Sequence, residues 1–370
     1  MRALVECRAR IAHPRSCRRG TKPARRAIRA AAAAARRGAP AVEDENVCDV
    51  AIVGAGPGGL AAALALQRAG LDVRVFEQRE EFRPAGVAIF IWPHGLNALK
   101  SFDPVSCERV IEAGAVIDNI AIEQLQPGNT EAEELVKIDV AGWSRRMDLP
   151  PQIGITWARL TNALRAGLKP DTVRLAHRLQ DLTDEDGEDG VTLTFEPPRG
   201  GGEAPPPVRA RMCVVGADGR NSRVRELAFG ADEKATVNTY ADPAAPEANV
   251  YYALSPNPPP GANGAGSFNE LRFSLCDGSG ISLLDVGRGN LDIDGKEGGS
   301  GGNPASGGQL MFGTTRFSEP AMTFETPTAR LGHLESLFEN TTPLLKAAIA
   351  STEPTAVIQT RLYERDGASR

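Results

Sequence analysis

The sequence is poor in the residue types and spacings that mark metal sites and hydrolytic sites. Its six cysteines are scattered through 370 residues without CxxC or CxxH spacing, which argues against a disulfide framework and a zinc site. Its four histidines, His13, His94, His177 and His333, have no serine or carboxylate at motif spacing. We therefore predict no metal site, and we assign no catalytic side chain from the sequence.

Long apolar segments are also absent, as are acidic residues near the start of the chain. No window approaches 18 uninterrupted apolar residues, so no transmembrane segment is predicted. Residues 1–40 hold eleven Arg and one Lys against a single acid, Glu6. The other 330 residues hold 30 basic and 46 acidic residues, a formal charge near −16. The strongly acidic composition of residues 41–370 argues against nucleic acid as a partner.

The Arg- and Ala-rich start has the composition of an organelle transit peptide. We predict that residues 1–44 form such a peptide and that the destination is an organelle, with the plastid favoured over the mitochondrion. A disordered basic tail and a nucleic-acid-binding arm are the alternatives that this composition leaves open.

The clearest motif is "IVGAGPGGLAAALALQRAGLDVRVFEQR", residues 52–79, which predicts a strand, a glycine turn, a helix and a second strand. In such a turn Gly54 makes the tight bend, Gly56 lets the backbone approach a pyrophosphate, and Gly59 lets the helix lie close to the strand. An acid at the end of the second strand, here Glu77, accepts hydrogen bonds from ribose hydroxyls. The predicted dinucleotide-binding residues are Gly54, Gly56, Gly58, Gly59, Glu77, Gln78 and Arg79.

NAD and FAD enzymes share this opening motif, so a second stretch is needed to choose between them. "VVGADGRNSRVR", residues 214–225, follows another buried apolar run and contains Gly216, Ala217, Asp218, Gly219, Ser222 and Arg225. Together the two motifs resemble those of FAD-dependent monooxygenases of the aromatic-hydroxylase type, a family that includes zeaxanthin epoxidase and salicylate-hydroxylase-like enzymes. The stretches "GVAIFIWPHGLNAL" and "LYERD" are similar to further segments of that family.

This resemblance implies the fold, an α/β protein in which a Rossmann-like FAD-binding domain carries an inserted, mostly antiparallel β-sheet substrate domain. We expect the FAD-binding domain at 45–229, with strands of the substrate domain interleaved around 115–150. The β-rich substrate domain is expected at 230–325, with a disordered Gly-rich insertion near 295–308. Residues 326–370 are expected to return as a helix towards a last FAD motif.

The resemblance also implies the ligands. FAD is expected to be bound tightly and non-covalently, NAD(P)H to act as a co-substrate, and O2 to react with the reduced flavin. By resemblance Asp218 and Gly219 contact FAD; the alternative is that Asp218 forms an Asx turn capping the next helix. The expected substrate is an aromatic or isoprenoid small molecule.

Two departures from the family pattern bear on these expectations. The family has Arg at the head of an R-x-x-L-x-x-x-L helix, where this chain has Trp157. Arg159 is the predicted substitute at the flavin; the alternative is Trp157 packed in a core and Arg159 as a solvated charge. The family's last motif, G-D-A-A-H, is absent, and the sequence stops at "LYERDGASR". C-terminal truncation is therefore expected.

The leading functional hypothesis is an FAD-dependent monooxygenase that uses NAD(P)H and O2 to hydroxylate or epoxidise its substrate. A flavin-dependent reductase of the same fold, of the geranylgeranyl-reductase type, is a second hypothesis, because fold alone does not determine activity. A truncated, non-catalytic nucleotide-binding relic is the third.

Overall fold

The computed structural model describes residues 46–82, 88–125, 131–184, 190–229, 237–238, 249–257, 270–276, 279–288, 308–316, 322–339, 341–361 and 364–365. These residues form two compact units. The first takes in the described parts of Met1–Phe82 and Leu164–Lys234, and the second those of Arg83–Ala163 and Ala235–Arg370. The predicted transit peptide and nearly all of the Gly-rich insertion lie outside the described residues.

The strands are β1 Val47–Val53, β2 Val73–Phe76, β3 Ala88–Ile91, β4 Ala115–Val116, β5 Asn119–Leu125, β6 Ala132–Asp139, β7 Ile153–Thr156, β8 Val173–Arg174, β9 Leu179–Thr183, β10 Val191–Phe195, β11 Val208–Gly216, β12 Val237–Asn238, β13 Asn249–Asn257, β14 Glu270–Cys276, β15 Ser279–Arg288, β16 Gly308–Arg316, β17 Ile358–Arg361 and β18 Glu364–Arg365. The helices are α1 Pro57–Arg68, α2 Pro93–Phe102, α3 Pro104–Ala113, α4 Val140–Arg146, α5 Trp157–Arg165, α6 Arg223–Phe229, α7 Pro327–Leu337 and α8 Pro343–Ala350, with a 3₁₀ turn at Pro354–Ala356.

The first unit is built on a six-stranded sheet in the order β8-β2-β1-β11-β10-β9. Strands β8, β2, β1 and β11 are parallel, and β10 and β9 add antiparallel partners at one side. The apolar run of β1 is buried from Cys48 to Val53, as expected for a strand covered on both faces. Phe76, Leu193 and Phe195 extend this core across the neighbouring strands.

Helix α1 follows β1 directly and has a well-defined start and end. Pro57 occupies the first turn, where its missing N–H costs nothing. The buried side chains of the helix include Leu60, Ala63, Leu64 and Gln67, spaced for one helical face. Gly70, at φ +91°, ends the helix in the left-handed conformation that favours glycine. The same sequence signals that predicted this helix therefore account for its bounds.

The second unit is built on a seven-stranded sheet in the order β17-β13-β16-β15-β14-β5-β6. All pairs are antiparallel except β14 with β5. One face packs against α7 and α8 through a core that includes Tyr251, Phe312, Leu334 and Leu345. The prediction of an α/β protein with a second, mostly antiparallel sheet is confirmed.

A smaller sheet in the order β3-β7-β4 lies in the second unit and was not predicted. Its strands are two to four residues long, too short to give a readable alternation. Gly154 in β7 permits close packing, because a Cβ there would overlap the carbonyl oxygen of Asp285. Ala88 and Phe90 of β3 pack against a core cluster that includes Leu271 and Val286 of the larger sheet.

The division into units differs from the predicted domain bounds in two places. All described residues of 83–163 belong to the second unit, because β5 and β6 hydrogen-bond into its large sheet. The helical segment after residue 326 packs on that sheet as well. Among the described residues, none of the helices is long and apolar enough to cross a membrane.

Candidate cofactor site

The two glycine motifs, about 160 residues apart in the sequence, meet at one edge of the first unit's sheet. Val53, the last residue of β1, is paired in parallel with Gly216, the last residue of β11. Just beyond these residues, the Ala217 N–H donates to the Val53 carbonyl at 2.8 Å. On the other side of β1, the Gly54 N–H donates to the Phe76 carbonyl at 2.8 Å. Three parallel strands therefore deliver their carboxyl ends to a single turn.

Close backbone contacts explain the glycines at positions 54 and 59. Gly54 has φ +106°, and a Cβ there would overlap the Ala217 carbonyl oxygen and lie 2.8 Å from the Asp218 nitrogen. At Gly59 a Cβ would overlap the carbonyl oxygen of Gly54, so only glycine lets α1 begin so close to the turn. Gly58 differs from both, since a Cβ there would meet nothing within 4 Å. Gly54 and Gly59 are therefore needed for close packing of the backbone, whereas Gly58 lies beside open space.

The start of α1 is suited to bind an anion. Gly56 is the N-cap residue in an extended conformation, no side chain caps the helix, and its first turn contains no acidic residue. The first N–H groups of a helix have no intrahelical partners, and the helix dipole places partial positive charge at this end. Together with the open space at Gly58, this geometry leaves room for a phosphate group.

Glu77 supplies a carboxylate next to the turn. Its Oε2 accepts from the Ala55 N–H at 3.0 Å, and its Oε1 accepts from the Arg79 N–H at 3.1 Å. Each carboxylate oxygen has further lone pairs, so Glu77 can still accept hydrogen bonds from a ligand hydroxyl. Gln78 and Arg79, which were predicted with it, are exposed.

The second motif forms a helix cap as well as a wall of the site. Asp218 Oδ1 accepts from the Ser222 hydroxyl at 2.6 Å, and Oδ2 accepts from the N–H groups of Arg223 and Val224 at 2.6 and 3.1 Å. These bonds satisfy the N-terminus of α6. The structure therefore supports the predicted alternative in which Asp218 caps the next helix, and a contact of Asp218 with FAD stays a prediction.

Gly219 and the arginines of this motif point to different roles. Gly219 has φ +78°, and a Cβ there would meet nothing within 4 Å, so the position needs glycine for its backbone conformation. Arg223 donates to the Gln180 carbonyl at 3.0 Å and pairs with Glu226 at 3.1 Å. Arg225 donates to the Arg220 carbonyl at 3.0 Å. Arg223 and Arg225 thus hold the loop and α6 in place.

The alternative expectation for the start of α5, a buried Trp157 and a solvated Arg159, was wrong for both residues. Trp157 is 38% exposed rather than packed in a core, and Arg159 is 6% exposed rather than solvated. Arg159 Nη1 donates to the Val286 carbonyl at 2.7 Å. Burial lowers the pKa of Arg159, and the nearby Asp285 carboxylate partly opposes this effect. Trp157, Arg159 and Val286 all belong to the second unit. A role for Arg159 at the cofactor stays a prediction.

Among the residues that the structure describes, no three His, Cys, Asp or Glu side chains are grouped in a way that could hold a metal ion.

His94 is exposed, whereas His177 is partly buried against Phe76 and Phe195. Burial lowers the pKa of His177, which favours its neutral form.

Comparison with known families identifies the ligand class of this site. Residues 47–251 match the family described as FAD binding domain, which is more than half of the chain. The chain belongs to the FAD binding domain family. The matched segment includes both glycine motifs, so the prediction of FAD from their combination is confirmed.

Several relatives of this FAD-binding chain are hydroxylases. It is 27% identical over 180 residues to the FAD-dependent urate hydroxylase of Klebsiella pneumoniae subsp. pneumoniae, covering 48% of this chain and 42% of the relative. It is 32% identical over 188 residues to the 6-hydroxynicotinate 3-monooxygenase of Bordetella bronchiseptica, covering 50% and 44% respectively. The predicted resemblance to FAD-dependent monooxygenases of the aromatic-hydroxylase type is confirmed. The chain spans less than half the length of these two relatives.

Solved structures agree on the fold of this FAD-binding chain. The crystal structure of Klebsiella pneumoniae HpxO complexed with FAD and uric acid superposes with a TM-score of 0.62 at 20% identity, covering 85% of this chain and 68% of HpxO. At that identity the likeness supports the architecture, and the residues of the site must be judged on their own geometry.

That geometry fits the pyrophosphate and ribose of FAD. The uncapped start of α1 beside open space suits the phosphates, and the Glu77 carboxylate suits ribose hydroxyls. Sequence reasoning missed the segment that closes the end of β2, where Ala176 donates to the Arg79 carbonyl and His177 donates to the Glu77 carbonyl, both at 2.8 Å. Strand β8 is only two residues long, so no local pattern marks this segment.

Proposed function

We propose that this protein is an FAD-dependent monooxygenase that uses NAD(P)H and O2 to hydroxylate or epoxidise an aromatic or isoprenoid small molecule. The observation that carries the proposal is the meeting of the two glycine motifs in one cradle at the ends of β1 and β11. The names of its relatives, a urate hydroxylase and a 6-hydroxynicotinate 3-monooxygenase, point to the same reaction class and favour an aromatic substrate.

In this proposal the chain's own residues position the cofactor. The turn at Gly54–Gly59 and the first N–H groups of α1 would hold the pyrophosphate, and Glu77 would accept hydrogen bonds from the adenosine ribose. Gly219 lets the backbone of the second motif come close to the cofactor, and Asp218 fixes that loop by capping α6. Bound FAD would supply the redox chemistry, in which two electrons from NAD(P)H reduce one oxygen atom of O2 to water while the other is transferred to the substrate.

The experiment that tests the proposal starts with flavin retention by the purified 370-residue chain. The protein is then supplied with NADH or NADPH, O2 and an aromatic acid, using salicylate, urate and 6-hydroxynicotinate as probes. We expect oxygen consumption that depends on the probe and a product heavier by one oxygen atom. The variant Glu77→Gln tests the role of this carboxylate in the site. It keeps the size of the side chain but removes its charge, and it is expected to weaken FAD binding.

The other outcomes separate the competing hypotheses. Oxidation of NAD(P)H with a reduced product and no oxygen consumption would support a flavin-dependent reductase of the geranylgeranyl-reductase type. Failure to retain flavin, with the protein folded, would overturn the proposal in favour of a non-catalytic relic.

We also propose an organellar location, with the plastid favoured over the mitochondrion. Its support is the Arg- and Ala-rich composition of residues 1–44. Fusion of these residues to a fluorescent protein, followed by imaging in plant cells, tests it. A fusion that stays in the cytosol would contradict the proposal.

A further inference from the structure

Exposed apolar side chains are concentrated at one end of the large sheet in the second unit. Among the described residues, thirteen large apolar side chains are exposed, and seven of these lie on β6, on β14 or in and just after α4. They are Leu135, Val136, Ile138, Trp143, Met147, Phe273 and Leu275. Single exposed apolar residues are ordinary, but such a concentration marks an interaction surface.

Strand β6 is an exposed edge of the part of the large sheet that the structure describes. In the part of the sheet that the structure describes, β6 is the last strand, and it hydrogen-bonds to β5 on one side. All seven residues of β6 after Ala132 are exposed. An unpaired edge presents a row of backbone N–H and C=O groups, which is a template for a further strand.

A bulge in β6 places two opposite charges on the same face of the sheet. Lys137 lies opposite Ala121, and Glu134 lies opposite Glu123, with the register shifting between these pairs. Leu135 is therefore the extra residue of the bulge. Because Ala121 and Glu123 point to one face, Glu134 and Lys137 point to that face as well. Glu133 lies opposite Gln124 and points to the other face.

We propose that β6 pairs antiparallel with β6 of a second copy of this chain, making one continuous sheet across a two-fold axis. With Leu135 opposite Val136 of the second copy, Glu134 faces Lys137 of the second copy, and the symmetry repeats both pairs. Each interface then contains two pairs of opposite charges on one face. On the other face, Glu133 lies opposite Ile138.

The charges of β6 favour this register over its neighbours. A shift by two residues in one direction brings Glu134 opposite Asp139, two like charges that repel across the strands. A shift by two residues in the other direction leaves Lys137 opposite Ala132 without an ion pair. Lys137 lies 3.7 Å from Glu270 within its own chain and its side chain is 44% exposed, so it can also reach a partner.

The size of the edge sets the expected strength of the association. Eight residues of strand are about 26 Å long, and side chains on both faces make the band roughly 20 Å wide. The buried surface is therefore on the order of 1,000 Å² for the two copies together, at the low end for specific interfaces. A monomer–dimer equilibrium that depends on protein concentration is expected.

Sedimentation velocity of the full 370-residue chain, from about 1 to about 100 μM, tests the pairing. We expect Glu134→Lys and Lys137→Glu each to weaken dimerisation about tenfold, because each turns two attractive pairs into repulsive ones. The double variant Glu134→Lys/Lys137→Glu exchanges the charges and should restore dimerisation. The matched control is Glu133→Lys, which makes the same charge change on the same strand but faces Ile138, and it should behave as the unmodified protein does.

Circular dichroism and thermal unfolding of each variant establish that the fold is retained. The proposal is overturned if the unmodified protein sediments as a monomer throughout the range. It is also overturned if folded single variants dimerise as well as the unmodified protein, or if the double variant fails to recover. Because Glu133→Lys changes the net charge by the same amount as Glu134→Lys, a difference between these two variants reports the charge pairs across the strands and not the net charge.

Discussion

The turn after β1 gives a sharp test of how the sequence specifies the site, because the consecutive residues Gly58 and Gly59 have different roles. A Cβ at Gly59 would overlap the carbonyl oxygen of Gly54 and lie 3.2 Å from its carbonyl carbon. A Cβ at Gly58 would meet nothing within 4 Å, and its φ is not in the left-handed region. The variants Gly59→Ala and Gly58→Ala therefore add the same methyl group to the same helical turn with opposite consequences.

The expected magnitudes follow from these contacts. In Gly59→Ala the obstructing atoms are backbone, so α1 must move away from β1, and overpacking of this kind costs about 3 kcal/mol. At roughly 2–4 °C per kcal/mol for a unit of this size, the melting temperature should fall by roughly 6–12 °C. In Gly58→Ala there is no clash, and alanine is a better helix former, so stability should be unchanged or higher by up to about 1 kcal/mol.

Urea unfolding followed by circular dichroism measures the stability of both variants, and quenching of flavin fluorescence measures FAD affinity. We expect Gly59→Ala to lose both stability and FAD affinity. The reasoning is refuted if the two variants are equally stable, or if Gly59→Ala binds FAD as the unmodified protein does. A loss of FAD affinity in Gly58→Ala without loss of stability would locate the cofactor in the open space above that residue.

Three further predictions concern single side chains. Asp218→Ala should lower stability by about 1 kcal/mol by removing the α6 cap, measured by urea unfolding; Asp218→Asn, which keeps an acceptor, should cost less. Burial raises the pKa of Cys48 to about 12, so this thiol should resist alkylation at pH 8 until the protein unfolds, as peptide mapping can show. Burial lowers the pKa of His177 below 6.5. The stability that the neutral, buried imidazole contributes to the folded state is therefore complete above pH 6.5 and is lost as the pH falls. His177→Gln should reduce this acid sensitivity.

The sequence was sufficient for the features that depend on local patterns. Strand β1, helix α1 and strand β2 were predicted from an apolar run, a glycine turn and a helical period, and the structure contains all three in the predicted order between Val47 and Phe76. Strands β13 to β16 lie between residues 230 and 325, where a β-rich domain was predicted. In each case the local signal and the tertiary environment agree, since buried parallel strands need apolar runs.

Long-range pairing was beyond the sequence. That Val53 and Gly216 lie side by side depends on strand order, and the two motifs themselves do not specify it. Local patterns gave no sign of the β3-β7-β4 sheet, whose strands are short, or of the parallel pairing of β14 with β5. The hydrogen bonds of Ala176 and His177 to the end of β2 likewise have no local signal, because they come from a two-residue strand brought in by the parallel sheet.

The start of α5 shows how a correct element can carry a wrong assignment of its side chains. The helix was predicted from its leucine spacing, and Leu160 and Leu164 are buried as expected. The alternative to a cofactor role for Arg159 rested on residue types alone, with tryptophan buried and arginine solvated, which is the usual partition. Trp157 and Arg159 are about 200° apart on a helix, so only one of them can face the packed side, and the carbonyl of Val286 supplies the partner that lets arginine occupy it. A buried cation requires a partner of this kind, and the sequence places Val286 more than a hundred residues from the helix.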